Sequence, residues 1–356
     1  MLTERRITPG KTLLLFDEIQ ECPNALNSLK YFFEEKRELH VAAAGSLLGI
    51  LLGKHSYPVG AVDLLEMYPM DFREYLRAYN TTLFNAYRQM PLLEPLPDIF
   101  HHRFTDIYHQ YLIIGGMPEC VVDWVKNHDY QNVIRKQKAL IKFYEGDFGK
   151  HDRNVNAAKC LLVFRSIPSQ LAKDNEKFLY GTVRKGARAA DLEDAVSWIM
   201  AAGLFNRIHN VSKIECPLAA FKRFDAFKLF LFDTGLIKVM ADVSNRSILL
   251  EDAYQFKGQL AENYLLEQIV GKFDAETFYY SDQSCREIDF LLQTESGIIP
   301  IEVKSGTNVK SISLKNYLAK RKPPYAIRFS ENNFSRSGNL LNLPLYMAPR
   351  LREYFE

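Results

Sequence analysis

Leu13-Leu14-Leu15-Phe16-Asp17-Glu18 is the stretch that decides how the N-terminal third is read. Four apolar residues ending in two acids fit a strand buried on both faces, as in a parallel α/β sheet. The carboxylates then lie at its C-terminal edge, where such sheets bind ligands. Outward from it, Asn24 to Lys36 predicts a helix with apolar faces from Leu26, Leu29, Tyr31, Phe32 and Phe33. Leu39 to Ala44 predicts a second strand, ending in Gly45-Ser46. Strand, helix, strand is a β-α-β unit.

An apolar strand running into two acids is also the Walker B pattern of P-loop nucleoside triphosphatases. There the first acid helps to hold Mg²⁺ and the second orients the attacking water. On that reading Asp17 is the metal ligand and Glu18 the general base. Ser46, at the end of the neighbouring strand, takes the place of the polar residue that senses the γ-phosphate in AAA-type ATPases. The plainer reading of the same residues is that they cap the helices that follow. A phosphate cradle needs a strand, a glycine-rich loop and a helix that starts at the Lys-Ser/Thr, so that its amides face the phosphates. Gly10-Lys11-Thr12 has the residues without that order, because Lys11-Thr12 runs straight into the Leu13–Phe16 strand. It is not read as a Walker A motif, and the sheet's apolar strand edges are expected to lack that central neighbour.

The chain has 356 residues, 47% hydrophobic and 13% aromatic, enough for a sizeable core and for two or three domains at about 150 residues each. The longest apolar stretch, Val41 to Leu52, is interrupted by glycine and falls short of the roughly 18 residues of a membrane span. The start, Met-Leu-Thr-Glu-Arg-Arg, lacks the apolar core of a signal peptide, so a cytoplasmic protein with no membrane partner is expected. Cys22, Cys120, Cys160, Cys216 and Cys285 are odd in number and widely spaced, as reduced thiols are. A net charge of +2 neither demands nor excludes nucleic acid, so any such surface must come from a local patch.

Thr81 to Pro97 reads as a polar connection, followed by helices through Ile99–Leu112 and Pro118–Tyr144 with a break at Gly115-Gly116. His101, His102 and His109 lack carboxylate or cysteine companions at ligand spacing and read as surface or core histidines. Helices at Ala157–Ala172 and Asp191–Ala202 precede strand-like pieces at Leu204–His209 and Lys228–Phe232. Between the helices Lys173, Lys177, Arg184, Lys185 and Arg188 outnumber Asp174 and Glu176, either as a phosphate-facing patch or as a solvated face.

Four segments together carry a family resemblance: Leu13–Glu21, Ala44-Gly45-Ser46-Leu47-Leu48, Tyr68-Pro69-Met70-Asp71-Phe72-Arg73-Glu74-Tyr75-Leu76 and Gly115-Gly116-Met117-Pro118. The chain resembles a prokaryotic family of AAA-type ATP-binding proteins with a C-terminal, nuclease-like domain of unknown function. The resemblance implies an α/β fold in four parts: a partial AAA-type P-loop core over 1–78, a helical lid or linker over 79–150, a winged-helix-like module over 151–245, and a restriction-endonuclease-like domain over 246–356. It also implies ATP and Mg²⁺ as ligands and self-association. The chain departs from the family at the front, where Walker A would stand, so a truncated or degenerate ATPase without appreciable turnover is expected.

Arg286-Glu287-Ile288-Asp289-Phe290-Leu291-Leu292 and Ile298-Ile299-Pro300-Ile301-Glu302-Val303-Lys304 both alternate as strands do, with Ile288, Phe290 and Leu292 on one face. Gln293 to Gly297 suits a tight hairpin, and a symmetric one sets Asp289 across from Glu302. Like charges so placed destabilise a sheet unless a cation offsets them. Glu262, on a helix over Gln255–Val270, shares its side with Leu265, Leu266 and Ile269, an unusual place for a charge without a partner. Together Glu262, Asp289, Glu302 and Lys304 resemble the PD-(D/E)XK nuclease site, with Ile288 where the proline would stand. The resemblance implies that the acids bind Mg²⁺ or Mn²⁺ and that Lys304 serves the developing phosphate charge. The plainer reading is an exposed hairpin face with a salt bridge between Lys304 and its acidic neighbours. Besides the AAA-type ATPase, a metal-dependent DNA nuclease and a non-catalytic nucleic-acid- or protein-binding regulator remain open.

Overall fold

The computed structural model describes residues 7–45, 60–148, 156–173, 177–250, 255–273, 276–281, 287–309, 312–321 and 323–355. They fall into two units, 1–67 with 196–204, and 68–195 with 205–356.

In the first unit β1 (Leu13–Phe16) leads through a 3₁₀ turn to α1 (Pro23–Glu35) and β2 (His40–Ala43). Pro23 opens α1 at a position where its missing N–H costs nothing. β1 and β2 pair in parallel from Leu13 opposite His40 to Phe16 opposite Ala43, so the expected β-α-β unit is present. Ile19, Leu26 and Leu29 form its core, with Phe16, Val41 and Val62 packed against them. The expectation that β1 is buried on both faces needs correction: Leu13 and Leu15 are each 63% exposed, while Leu14 and Phe16 are half-buried. Side chains alternate across a strand, and only the face carrying Phe16 lies against the α1 core.

The second unit opens with α2 (Phe72–Tyr79), which Asp71 and Glu74 cap reciprocally. α3 (Thr81–Arg88) follows, with Asn80 as its N-cap. The first half of the expected 81–97 connection is therefore helical, because Asn80 caps it and Tyr87 gives it a buried anchor. α4 (Asp98–Ile114) stops at Gly115, whose φ of +73° suits glycine. The helix expected over Pro118–Tyr144 is two, α5 (Pro118–Asn127) and α6 (Tyr130–Asp147). The break falls at His128, at φ +50°, and Asp129 caps the new start. Next in chain order come α7 (Ala157–Leu171), α8 (Tyr180–Val183), α9 (Ala189–Ala201, whose residues from Val196 on are assigned to the first unit), β3 (Phe205–Val211), β4 (Lys222–Leu231), α10 (Thr234–Met240), α11 (Asn245–Leu249) and α12 (Lys257–Ile269). The chain ends with β5 (Phe278–Ser281), β6 (Glu287–Thr294), β7 (Gly297–Val303), α13 (Ile312–Arg321), β8 (Ala326–Ser330), β9 (Ser335–Ser337), β10 (Leu340–Pro344) and a 3₁₀ helix over Leu345–Tyr354.

These strands form one eight-stranded mixed sheet in the order β4-β3-β5-β6-β7-β8-β10-β9. The strand-like pieces expected at Leu204–His209 and Lys228–Phe232 fall in the β3–β4 hairpin at one margin of this sheet, where β3 pairs in parallel with β5 through His209 opposite Phe278 and Asn210 opposite Tyr279. Residues on both sides of position 245 belong to the same compact unit. The β6–β7 hairpin keeps the expected register, Phe290 opposite Ile301 and Thr294 opposite Gly297. The expected alternation along β6 does not hold, because its register with β5 shifts between Phe278 and Tyr280. Asp289 and Phe290 occupy that bulge, and Ile288 shares a core cluster with Leu291. Among the described residues no helix is long and apolar enough to cross a membrane.

Candidate functional site

Asp17 and Glu18 stand exposed at the C-terminal end of β1. The Glu18 N–H donates to Asp17 Oδ1 (3.1 Å), and the Gln20 side-chain amide donates to the Glu18 carboxylate. Glu18 sits at φ +49°, a left-handed conformation uncommon for a side chain of this kind. Ser46, expected on the neighbouring strand, lies outside the described residues. Gly10-Lys11-Thr12 is a closed turn: Lys11 N and Thr12 N donate to Thr8 O at 3.1 and 3.0 Å, and Thr8 N donates to Thr12 Oγ1 at 2.9 Å. β1 follows directly, so no helix N-terminus begins at Lys11. The exposed acid pair fits the metal-holding half of a nucleotide site. The described residues around Lys11 do not fit the phosphate-cradling half.

The second cluster lies on the eight-stranded sheet. Asp289, in the β6 bulge, accepts a hydrogen bond from Val303 N at 2.7 Å, joining β6 to the end of β7. On β7 Glu302 is only 7% exposed. Its Oε1 lies 3.0 Å from Lys304 Nζ, and its Oε2 lies 3.6 Å from Arg328 Nε of β8. Glu302 Oε2 and Arg328 Nε are too far apart for a hydrogen bond, and neither has another among the described residues. Asp289, Glu302 and Lys304 are therefore brought together as the sequence predicts.

Glu262, on α12, is near enough to act on Lys304 but pairs with Lys228. Lys228 of β4, 1% exposed, sets its ammonium 2.8 Å from Glu287 Oε1 and 3.5 Å from Glu262 Oε2. The same Nζ stands 5.3 Å from the centre of the Tyr279 ring. Burial pushes the Asp289 carboxyl up to about 7 against the opposing pull of Lys228. Burial pulls the Lys304 ammonium down, but Glu302 and Asp289 outweigh it and hold Lys304 above its ordinary value. Among the described residues no group of three or more His, Cys, Asp or Glu is arranged to hold a metal ion. The acids expected as a metal set, Glu262, Asp289 and Glu302, are instead interleaved with Lys228, Lys304 and Arg328. This arrangement does not fit a resident Mg²⁺ or Mn²⁺, because protein ammonium and guanidinium groups already carry the compensating charge.

Sequence reasoning missed Lys228, Glu287 and Arg328. A signal existed for Lys228, a single charge inside the run Ala226-Phe227-Lys228-Leu229-Phe230-Leu231. Its partner is set by strand order, which a local pattern does not show.

The glycine pair and the Tyr68–Leu76 segment meet around two buried carboxylates. Asp233 accepts from Gly116 N (2.7 Å) and Leu236 N (2.8 Å). Glu267 accepts from Tyr111 OH (2.7 Å) and Thr234 N (2.8 Å). Burial raises Asp233 to about 6 and Glu267 well above the usual carboxylate range. A Cβ on Gly115 would fall 2.6 Å from Asp233 Oδ1, and one on Gly116 would fall 2.8 Å from Met70 N. Tyr111 OH also lies 2.6 Å from Met70 O, and Phe72 N donates to Gln268 Oε1 (2.6 Å). These motifs are architectural, locking α2, α4 and α12 together.

Of the histidines, His109 Nε2 meets Glu331 Oε1 at 3.1 Å, and His101 lies between Tyr346 OH (2.9 Å) and Glu331 O (3.1 Å), both as core residues. Within the expected basic patch, Arg184, Lys185 and Arg188 are exposed and Lys173 donates to Thr182. Asp174 and Glu176 lie outside the described residues.

Three family models match this chain in succession. Residues 1–76 match the AAA domain, 105–247 a domain of unknown function (DUF8612), and 257–346 another (DUF4143). The N-terminal stretch of this mixed α/β chain is therefore similar to an AAA domain. Among solved structures, a Walker-type ATPase of Pyrococcus abyssi aligns with a TM-score of 0.40 at 14% identity, over 65% of this chain and 63% of that one. Comparison with curated proteins returned no match.

Proposed function

We propose that this chain joins an AAA-type domain to a nuclease-like sheet that engages nucleic acid without cutting it. The observation that carries the reading is Lys228, buried between Glu262 and Glu287 where a nuclease would gather its acids around a divalent ion. Cations interleaved with the acids support a reading in which Asp289, Glu302 and Lys304 sit as in a nuclease while protein groups, not a metal, carry most of the compensating charge. Lys304, held protonated in its pair with Glu302, is 32% exposed, and a phosphate oxygen would meet it on that exposed side.

In the N-terminal domain Asp17 and Glu18 are the residues that would face a nucleotide's metal ion and attacking water. The turn at Gly10-Lys11-Thr12 supplies no cradle, so ATP turnover no greater than that of the Asp17→Ala, Glu18→Ala double variant is expected. A phosphate-release assay on the two proteins decides this: turnover well above the variant's would overturn it.

For the sheet, the test is incubation of labelled DNA with the protein in Mg²⁺, Mn²⁺ or EDTA, read for binding and for strand breaks together. Binding independent of the metal, with no breaks, is expected. A second reading, a metal-dependent nuclease, draws on the proximity of Asp289, Glu302 and Lys304 alone. It requires Mn²⁺- or Mg²⁺-dependent breaks that vanish in both Asp289→Ala and Lys304→Ala.

A further inference from the structure

α2 and α3 turn about Asn80, whose side chain accepts from Leu83 N at 3.0 Å. A cleft of about 940 Å³ lies against both helices and the C-terminal 3₁₀ segment. Four arginines line it, Arg73, Arg77, Arg88 and Arg350, against two acids, Glu74 and Glu353. The acids are already committed. Glu74 accepts from Asp71 N at 2.9 Å in the cap of α2, and Glu353 accepts both Nε and Nη2 of Arg350, at 2.9 and 2.7 Å. Arg350 is buried and spends its remaining Nη1 on the carbonyls of Tyr87 and Met90, at 3.1 and 3.0 Å, which makes it a fixed wall.

The other three arginines are exposed. Arg73 lies 3.6 Å from an Asp71 carboxylate that Lys272 also engages. Arg77 and Arg88 have no ion-pair partner among the described residues; Arg88 rests 5.8 Å from the centre of the Phe84 ring. Phe84, half-buried, lines the same cleft and adds a ring face among these charges, while Tyr87, also in the lining, is fully buried.

Exposed guanidinium groups spread over two helices, beside an aromatic ring, are suited to a chain of phosphates and not to a single anion. A free phosphate ion has no use for the ring, and the cleft is near the upper end of the size of small-molecule sites. A duplex keeps its base faces stacked, whereas a single strand offers them. We propose that this cleft binds the phosphodiester backbone of a single nucleic-acid strand, with Arg77 and Arg88 at phosphates and Phe84 against a base. The inference deepens the nucleic-acid reading above and rests on it, but places the strand at a different surface from the sheet cluster.

The test is fluorescence anisotropy of a labelled oligothymidylate with the whole chain, at several salt concentrations. The proteins are wild type, Arg77→Ala/Arg88→Ala, Arg77→Lys/Arg88→Lys and Lys304→Ala. The double alanine variant should bind about tenfold or more weakly, with a salt slope lower by about 2, roughly one for each lost phosphate contact. The lysine variant should keep most of the slope. Affinity and slope unchanged in the double alanine variant would overturn the cleft. If Lys304→Ala then abolished binding, the sheet reading would survive alone, while no binding by wild type would overturn both. Inorganic phosphate competing as well as the oligonucleotide, phosphate for phosphate, would overturn the assignment to a strand.

Discussion

Replacing Lys228 with methionine tests whether a protein cation stands where a metal would. The ammonium lies 2.8 Å from Glu287 and 3.5 Å from Glu262. With an effective dielectric of about 20, these two attractions come to roughly 6 and 5 kcal/mol before the ammonium's own desolvation is charged against them. Removing one partner of a buried pair typically costs about 3–5 kcal/mol. The Glu262 and Glu287 side chains are 13% and 28% exposed, so water recovers part of that loss. A net loss of about 3 kcal/mol follows, on the order of 5 °C in Tm for a folding unit of this size. Two acids left without their cation should then recruit one. Millimolar Mn²⁺ is expected to raise the variant's Tm and leave wild type unmoved, since only the variant gains a site that the unfolded chain lacks. Differential scanning fluorimetry with and without Mn²⁺ measures both effects. A variant as stable as wild type would refute the charge compensation, and equal Mn²⁺ responses in the two proteins would refute the idea that Lys228 fills a metal's place.

Gly116→Ala should leave little folded protein, because its Cβ would meet the Met70 backbone; Gly146→Ala, in α6 with nothing within 4 Å of the added carbon, should gain about 0.5–1 kcal/mol by urea unfolding. Asp289, raised to about 7 by burial, binds its proton more tightly folded than unfolded, where its pKa is about 3.9. That site therefore loses stability as pH rises from about 4 to 7, and above 7 the loss is complete. Asp289→Asn keeps an acceptor for Val303 N without the charge, and its stability relative to wild type should grow by on the order of 2 kcal/mol between pH 5 and pH 8. A constant difference across that range, in urea melts at each pH, would show that Asp289 is not held in this way.

The β-α-β start and the β6–β7 hairpin were legible because both rest on short-range pattern: an apolar run with a helix behind it, and a turn that fixes its own register. The bulge at Asp289 was not, since it arises from pairing with β5 and has no turn or glycine to announce it. Two-sided cover for β1 was over-read from composition. Leu13 and Leu15 are as apolar as Leu14 and Phe16, and only packing tells the two faces apart. Asp289, Glu302 and Lys304 were found as a group. Lys228 was not, because the neighbour that gives it meaning reaches it through strand order, β4-β3-β5-β6, and not through sequence. The glycine pair was noticed as a motif, but its task of seating Asp233 depends on a residue far along the chain.

The parallel joint between β3 and β5 also bears on inheritance. It ties the segment matched over 105–247 to the one matched over 257–346 in a single sheet, so neither segment holds all of its own hydrogen-bonding partners. A gene cut at the seam would yield one piece whose β5, carrying Phe278 and Tyr279, presents a bare edge to any passing strand, and another whose hairpin has lost its floor. A substitution at His209 or Asn210 would therefore be felt at Phe278 or Tyr279 across that joint.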